Sequence, residues 1–131
     1  MTFRFRLDSG SGVPPYLQIV QQVRQGLLLG YLRPGDRLPT VKEAVGVLAI
    51  NPNTVVKAYR QLENDGLVSA KPGQGTFITG SVEPVAAAPY ARLRRALERW
   101  VRDAYAAGLD DDVVTAMFAT VRNELRAEGA A

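Results

Sequence analysis

The chain of 131 residues contains neither cysteine nor histidine. Without cysteine it can form no disulfide and has no thiolate nucleophile. Without histidine it lacks the commonest general base, and zinc sites built on His or Cys ligands are excluded. Because no apolar run could span a bilayer and the N-terminus has no signal-peptide core, we expect a cytoplasmic protein with no membrane partner.

Enzyme motifs are also missing. The sequence has no Walker motif and no dinucleotide-binding glycine fingerprint after a strand, and a Ser-His-Asp set is impossible. We therefore predict a protein that is not an enzyme and needs no cofactor. The adjacent carboxylates Asp110, Asp111 and Asp112 lack the spacing of an EF-hand and predict a helix cap rather than a metal site.

The net charge of +3 is unevenly distributed along the chain. Residues 1–80 carry nine Lys/Arg and five Asp/Glu, whereas residues 81–131 carry seven and eight. An excess of positive charge in the first part is what a nucleic-acid-binding domain needs. Many domains that bind no nucleic acid have a similar charge, so this asymmetry is only a supporting observation.

Two short helices joined by a tight turn are predicted after Leu38. Thr40 and Glu43 form a capping box at the start of the first helix. Asn51 is a good N-cap for the second helix, and Pro52 suits its first position. One side of the second helix is predicted to be buried: Val55, Ala58, Tyr59 and Leu62.

The opposite side of this second helix presents amide, methyl and cationic groups from Asn53, Val56, Lys57 and Arg60. Such a face suits a helix that lies in the major groove of DNA. An ordinary amphipathic surface helix would also be polar on its outer side. The helix-turn-helix order of the segment favours the first interpretation.

A β-hairpin is predicted directly after the second helix. Gly66 ends the helix, and two short strands, residues 67–71 and 76–79, flank a turn at residues 72–75. Two helices followed by a hairpin give the order of a winged helix-turn-helix. Gly73 and Gly75 can serve turn geometry, or allow backbone N–H groups to approach a phosphate or the minor groove, or both.

The rest of the first 80 residues is predicted to support this motif. Alternation in residues 3–7 predicts a short half-buried strand, and residues 36–38 predict a second one that pairs with the wing. Pro15 begins a long helix. Its apolar residues recur at helical spacing and should pack under the helix-turn-helix: Tyr16, Ile19, Val20, Val23 and Leu27.

Three regions follow from these patterns: a winged helix-turn-helix domain at residues 1–80, a linker at 81–88, and a helical segment at 89–131. The fold class is mainly α with a small β-hairpin. Pro89 is expected to open the first C-terminal helix, Gly108 and Leu109 to end it, and Asp110 to cap the next. The run of five arginines between residues 92 and 102 is interpreted as a solvated face with intrahelical pairs rather than a second nucleic-acid contact.

The two C-terminal helices have apolar stripes that a lone helical hairpin would leave exposed. Folding back onto the winged helix would cover them, but the linker favours a homodimer. The predicted dimerisation residues are Leu93, Leu97, Trp100, Val101, Tyr105, Val114, Met117, Phe118, Val121 and Leu125.

Five motifs, in order, resemble the GntR family of bacterial transcription regulators. They are the helix with Tyr16-Leu17-Gln18 and Gln21, the stretch from Gly30 to Thr40, Asn51-Pro52-Asn53-Thr54-Val55, Leu62 to Leu67, and Gly73-Gln74-Gly75-Thr76-Phe77. The short C-terminal segment resembles the YtrA subfamily. This resemblance implies a homodimeric repressor on an inverted-repeat operator in double-stranded DNA, and control of a neighbouring transporter operon. No pocket-forming domain is visible, so a small-molecule effector is either absent or bound at the dimer interface, and the sequence does not distinguish the two.

The resemblance assigns DNA contacts to Lys42, Asn53, Thr54, Lys57, Gly73 and Gln74. With the other exposed candidates, the predicted DNA surface comprises Arg37, Lys42, Asn51, Asn53, Thr54, Val56, Lys57, Arg60, Lys71, Gly73, Gln74 and Gly75. The family often has Arg at the positions of Lys42 and Val56, and usually Gly at that of Ala49. The alternative function is a winged helix that binds proteins and not DNA.

Overall fold

The structure, a computed structural model, describes residues 3–80 and 86–129. The chain divides into two compact units, Met1–Val85 and Ala86–Ala131. The first contains α1 (Pro15–Leu28), α2 (Val41–Leu48), α3 (Pro52–Asn64), β1 (Val68–Lys71) and β2 (Gly75–Ile78), and the second contains α4 (Ala87–Ala106) and α5 (Asp111–Gly129). The predicted fold class, a winged helix-turn-helix followed by two helices, is confirmed.

The core of the first unit forms where α1 and α3 pack on each other and on α2 and the hairpin. All four residues predicted to be buried in α3 are buried, and Leu62 is fully inaccessible. The apolar residues of α1 enter the same core, with Tyr16 only partly buried at its edge. Truncation of Leu62 to alanine would cost about 2–5 kcal/mol of stability, because the cavity would add to the lost burial.

Close packing explains the glycine inside α1. A Cβ at Gly26 would lie 2.9 Å from Leu32 Cδ1 and 3.1 Å from Phe3 Cε2. A glycine within a helix costs roughly 1 kcal/mol relative to alanine. That cost is offset here by the approach of the segment after α1 and of the N-terminal segment to the helix backbone.

The prediction of a strand at residues 3–7 is wrong. This segment is extended, but glutamine side chains of α1 replace a neighbouring strand. The Gln22 amide donates to Arg6 O at 2.5 Å and accepts from Arg6 N at 2.9 Å. The Gln18 amide bonds Asp8 N and O at 2.8 and 2.9 Å. The alternation was nevertheless informative, because Phe5 is buried in the core.

The second predicted strand, residues 36–38, is reduced to a single bridge beside the wing. Arg37 pairs antiparallel with Phe77. Three backbone bonds surround this pair: Gly35 N to Ile78 O, Ile78 N to Asp36 O, and Leu38 N to Thr76 O, at 2.8, 2.8 and 2.9 Å. The segment before α2 is therefore fixed to β2, as the sequence predicted, although no regular strand forms.

The two strands β1 and β2 form the predicted antiparallel hairpin, with Val68 opposite Ile78 and Lys71 opposite Gly75. Gln74 N donates to Lys71 O at 2.9 Å, which closes the turn. Gly73 has φ of 74°, a left-handed conformation that glycine adopts without steric cost.

In the second unit, α4 begins at Ala87, two residues before Pro89. A proline within the first turn is tolerated because N–H groups there have no helical acceptor. Two residues of the predicted linker 81–88 are therefore helical, and residues 81–85 lie outside the described part of the chain. The predicted stop is confirmed: Gly108 N donates to Tyr105 O and Leu109 N to Ala104 O, both at 3.0 Å.

The N-terminus of α5 has the predicted cap. Asp110 Oδ1 accepts a hydrogen bond from Val113 N at 3.0 Å. Within residues 3–80 and 86–129, no cluster of three or more acidic, His or Cys residues could hold a metal ion. In the same two stretches, every helix is too short or too polar to pass through a bilayer.

Candidate nucleic-acid interface

The helix-turn-helix is formed by α2, a three-residue turn and α3. The Thr40 hydroxyl accepts from Glu43 N at 3.1 Å, and the Glu43 carboxylate accepts from Thr40 N at 3.3 Å, so the predicted capping box is present. After α2 the chain reverses at Ala49, which has φ of 54° and ψ of 45°. Asn51 then caps α3, since its Oδ1 accepts from Asn53 N at 2.8 Å.

A buried tyrosine fixes α3 relative to the segment before α2. The Tyr59 hydroxyl donates to Pro39 O at 2.5 Å. Burial raises the pKa of Tyr59, with a smaller contribution from Glu43, so its proton remains in place at physiological pH. This hydrogen bond therefore joins α3 to the segment that leads into α2.

The outer face of α3 is a shallow groove. It is lined by the four residues that helical spacing predicted, together with two more toward the C-terminal end: Asn53, Val56, Lys57, Arg60, Gln61 and Asn64. All are exposed except Val56, which is partly buried. The groove combines amide donors and acceptors with two cations, the groups that bind base edges and phosphates.

Lys57 is not extended freely into solvent. Its Nζ lies 3.9 Å from the centroid of the Tyr16 ring, well within the range of a cation–π contact. Tyr16 is the second residue of α1 and packs against the core with part of its ring. The ammonium group is therefore beside a fixed aromatic surface.

The other predicted DNA-contacting residues of the helix-turn-helix differ in how exposed their side chains are. Lys42 is exposed on the first turn of α2. Thr54 is partly buried at the start of α3. The side-chain oxygen of Asn51 is already a cap for Asn53 N, so Asn51 has a structural role whatever else it contacts.

Arg37 lies between α2 and the wing. Its Nη2 is 3.3 Å from Glu43 Oε1 in an exposed ion pair. Its Cδ would lie 3.3 Å from a Cβ at Gly75, so the arginine stem covers the start of β2. Hydrogen bonds with the Thr40 side chain and backbone lower the pKa of Glu43, and the Arg37 charge acts in the same direction.

The wing residues lie on the hairpin and its turn. Lys71 and Gln74 are exposed, and the Lys71 ammonium is 4.9 Å from the centroid of the Phe77 ring. Space around Gly73 is open, since among the described residues no atom other than those of Gly73 and its chain neighbours lies within 4 Å of a Cβ built there. Ala70 N donates to Glu63 Oε2 at 3.1 Å and so connects β1 to the last turn of α3.

Three residues of this surface were missed from the sequence. Gln61 and Asn64 lie at helical spacing from Lys57 and Arg60, so the same wheel could have identified them. Tyr16 could not be found in this way, because it belongs to another helix and meets Lys57 only after folding.

Within the second unit, the two helices leave most of their apolar stripes exposed. Seven of the ten predicted dimerisation residues are exposed, and Trp100, Val101 and Val114 are partly buried. Ala104 is the only buried residue among those described in α4 and α5. The Tyr105 hydroxyl donates to Asp111 Oδ1 at 2.5 Å across the turn, and this bond raises the pKa of Tyr105.

Residues 15–78 match the family described as bacterial regulatory proteins, gntR family. The HTH-type transcriptional repressor YtrA of Bacillus subtilis (strain 168) is 35% identical over 106 residues, which are 80% of this chain and 82% of that protein. The chain belongs to the GntR family. The resemblance of its motifs to this family is therefore confirmed, including the YtrA-like character of the C-terminal segment.

Two solved structures of GntR-type proteins are similar to this chain. YtrA from Sulfolobus acidocaldarius, described as a GntR-family transcription factor, has a TM-score of 0.55 and 28% identity, with 79% of this chain and 99% of that chain covered. The DNA-binding domain of AraR, in complex with operator ORX1, has a TM-score of 0.53 and 24% identity, with 59% and 99% covered. This second likeness concerns the fold alone.

Family membership establishes the general function. The chain is a DNA-binding transcription regulator and not an enzyme, as the sequence predicted. Family membership also favours DNA as the partner over the alternative function, a winged helix that binds only proteins. The predicted DNA-contacting and dimerisation residues remain predictions.

Proposed function

We propose that this GntR-family protein is a homodimeric repressor in the bacterial cytoplasm that binds an inverted-repeat operator. Each protomer places α3 in one major groove and its wing on the adjacent backbone or minor groove. Two-fold symmetry of the protein requires two oppositely oriented half-sites. The outer face of α3, with amides and cations in one groove, is the observation that carries this proposal.

Base readout is assigned to the amide end of α3. Asn53 lies in the first turn, its side chain is exposed, and a carboxamide can bond the N6 and N7 atoms of adenine. Val56 can contact only a thymine methyl group. Because Lys42 replaces the arginine frequent in the family, it supplies charge without the planar fork that reads guanine in two places.

Phosphate contacts are assigned to the cations around the groove and wing. Lys57 and Arg60 follow Asn53 along the same face of α3, and Lys71 lies beside the wing turn. The Gly73 N–H and the exposed Gln74 side chain can approach the DNA backbone, because the described residues leave open space beside Gly73. These contacts bring affinity and orientation, whereas Asn53 brings specificity.

Dimerisation is assigned to α4 and α5. Eight large apolar side chains are exposed on the two helices, seven of them predicted dimerisation residues, and they form more apolar surface than a solvated segment normally leaves uncovered. Within the arginine run, Arg94 pairs along the helix, since its Nε lies 3.0 Å from Glu98 Oε1. A second copy with the same stripes would cover them symmetrically.

Titration of the full chain with DNA from upstream of its own gene tests the proposal. We expect protection of two symmetric half-sites, with one dimer bound to each pair. The affinity should fall steeply as the salt concentration rises, because counterions are released on binding. Protection of a single unrepeated segment by a monomer would contradict it. A transporter gene in the same operon would agree with the subfamily resemblance.

A further inference from the structure

We infer that Tyr16 is a positioning residue for DNA binding, whose ring holds the Lys57 ammonium group in place for a backbone phosphate. This inference rests on the proposed function, in which Lys57 contacts DNA. Nothing in the local sequence of α3 indicates it, because the two residues belong to different helices and are 41 positions apart.

The geometry gives Tyr16 a fixed position and Lys57 a defined one. Tyr16 follows Pro15 in the first turn of α1 and packs against the core, where α1 and α3 meet. Lys57 Nζ is 3.9 Å from its ring centroid. An ammonium group over an aromatic face keeps its N–H groups on the far side available, since the ring attracts the charge without accepting a directional hydrogen bond.

A lysine held in this way binds a phosphate at lower entropic cost. A free lysine side chain populates many rotamers and loses them when it binds, whereas one held by a ring has lost them already. Lys57 also lines the α3 groove together with Asn53, Val56 and Arg60. Tyr16 thereby acts on affinity through Lys57 and adds no charge of its own.

The proposed contact can be observed without DNA. In the nuclear magnetic resonance spectrum of the free protein, the Lys57 Cε protons should be shifted upfield by the Tyr16 ring current. We expect Tyr16→Phe to retain that shift, because the ring remains, and Tyr16→Leu to abolish it. An unshifted Lys57 in the unchanged protein would overturn the inference.

Its effect on function is measured by a double-mutant cycle on operator DNA. We expect Tyr16→Leu to weaken binding by roughly two- to tenfold per half-site, as the loss of one pre-ordered side chain implies. Tyr16→Phe should bind normally, and Tyr16→Leu should have no further effect in a Lys57→Ala background. The salt slope should fall by about one for Lys57→Ala and stay unchanged for Tyr16→Leu.

Four results of the binding measurements would also overturn the inference, and each identifies a different error. Equal losses for Tyr16→Leu with and without Lys57 would show a structural role, and a loss for Tyr16→Phe would show that the hydroxyl contacts DNA. Unchanged or tighter binding of Tyr16→Leu, with Lys57→Ala weakened, would show that the ring does not help Lys57. Normal binding by Lys57→Ala would instead remove Lys57 from the proposed DNA surface, and the role of Tyr16 with it.

Discussion

Single residues decide how well the turn of the helix-turn-helix forms. Ala49 is the only non-glycine residue with positive φ in residues 3–80 and 86–129. Its side chain is therefore strained in the left-handed conformation that a helix C-terminus needs, and the family usually has glycine there. The left-handed backbone angle explains why glycine suits this position better than alanine.

We expect Ala49→Gly to stabilise the protein by about 1 kcal/mol, because relief of the left-handed strain exceeds the added freedom of the unfolded chain. Thermal melts of both proteins, at one concentration, measure the change. Gly46→Ala is the matched control in α2, where an added Cβ has open space, and should stabilise by about 0.5–1 kcal/mol through helix propensity alone. A lower melting temperature for Ala49→Gly would contradict this account of the turn.

At the scale of elements, local sequence predicted most of the fold. The capping box at Thr40, the cap at Asn51 and the stops at Gly66 and Gly108 depend on neighbours within a few residues, so patterns in the chain contain them. The strand predicted at residues 3–7 was wrong because its hydrogen-bond partners are side chains of α1. The Tyr16–Lys57 contact was missed for the same reason, since it forms between helices.

The wing prediction separates turn geometry from DNA contact. We expect Gly73→Ala to weaken operator binding roughly tenfold, about 1.4 kcal/mol, by displacing a backbone N–H from a phosphate. Gly12 is the matched control, since its φ of 75° is close to the 74° of Gly73 and space around both is open.

Alanine at either glycine should lower the melting temperature by a similar amount, because each would strain a left-handed residue. Affinity should fall only for Gly73→Ala. Gel-shift titrations beside thermal melts compare the two variants. If affinity falls equally for both, or for neither, the wing turn does not contact DNA.

At the scale of the whole molecule, the proposed dimer would cover the apolar faces of α4 and α5. Phe118 is 47% exposed in the single chain and lies on the stripe with Val121 and Leu125. We expect Phe118→Glu to weaken dimerisation on the order of 100-fold, since it removes an aromatic anchor and places a charge in the apolar interface. Sedimentation over a range of concentrations measures this.

Asn123 provides the control for that experiment, because helical spacing places it opposite the stripe and it is exposed. Asn123→Glu should leave the dimer intact. The Phe118→Glu protein should also bind its operator far more weakly, since a dimer gains avidity by binding two linked half-sites at once. A Phe118→Glu protein that remains dimeric would show that the interface lies elsewhere.

The central claim is that the outer face of α3 reads bases in two symmetric half-sites, and Asn53→Ala tests it most directly. Competition binding against a complete set of single-base operator variants should be measured for the unchanged protein and for Asn53→Ala. We expect a loss of about 1–3 kcal/mol on the cognate site and relaxed preference at one base position in each half-site. Equal losses on cognate and random DNA, with every base preference retained, would contradict it.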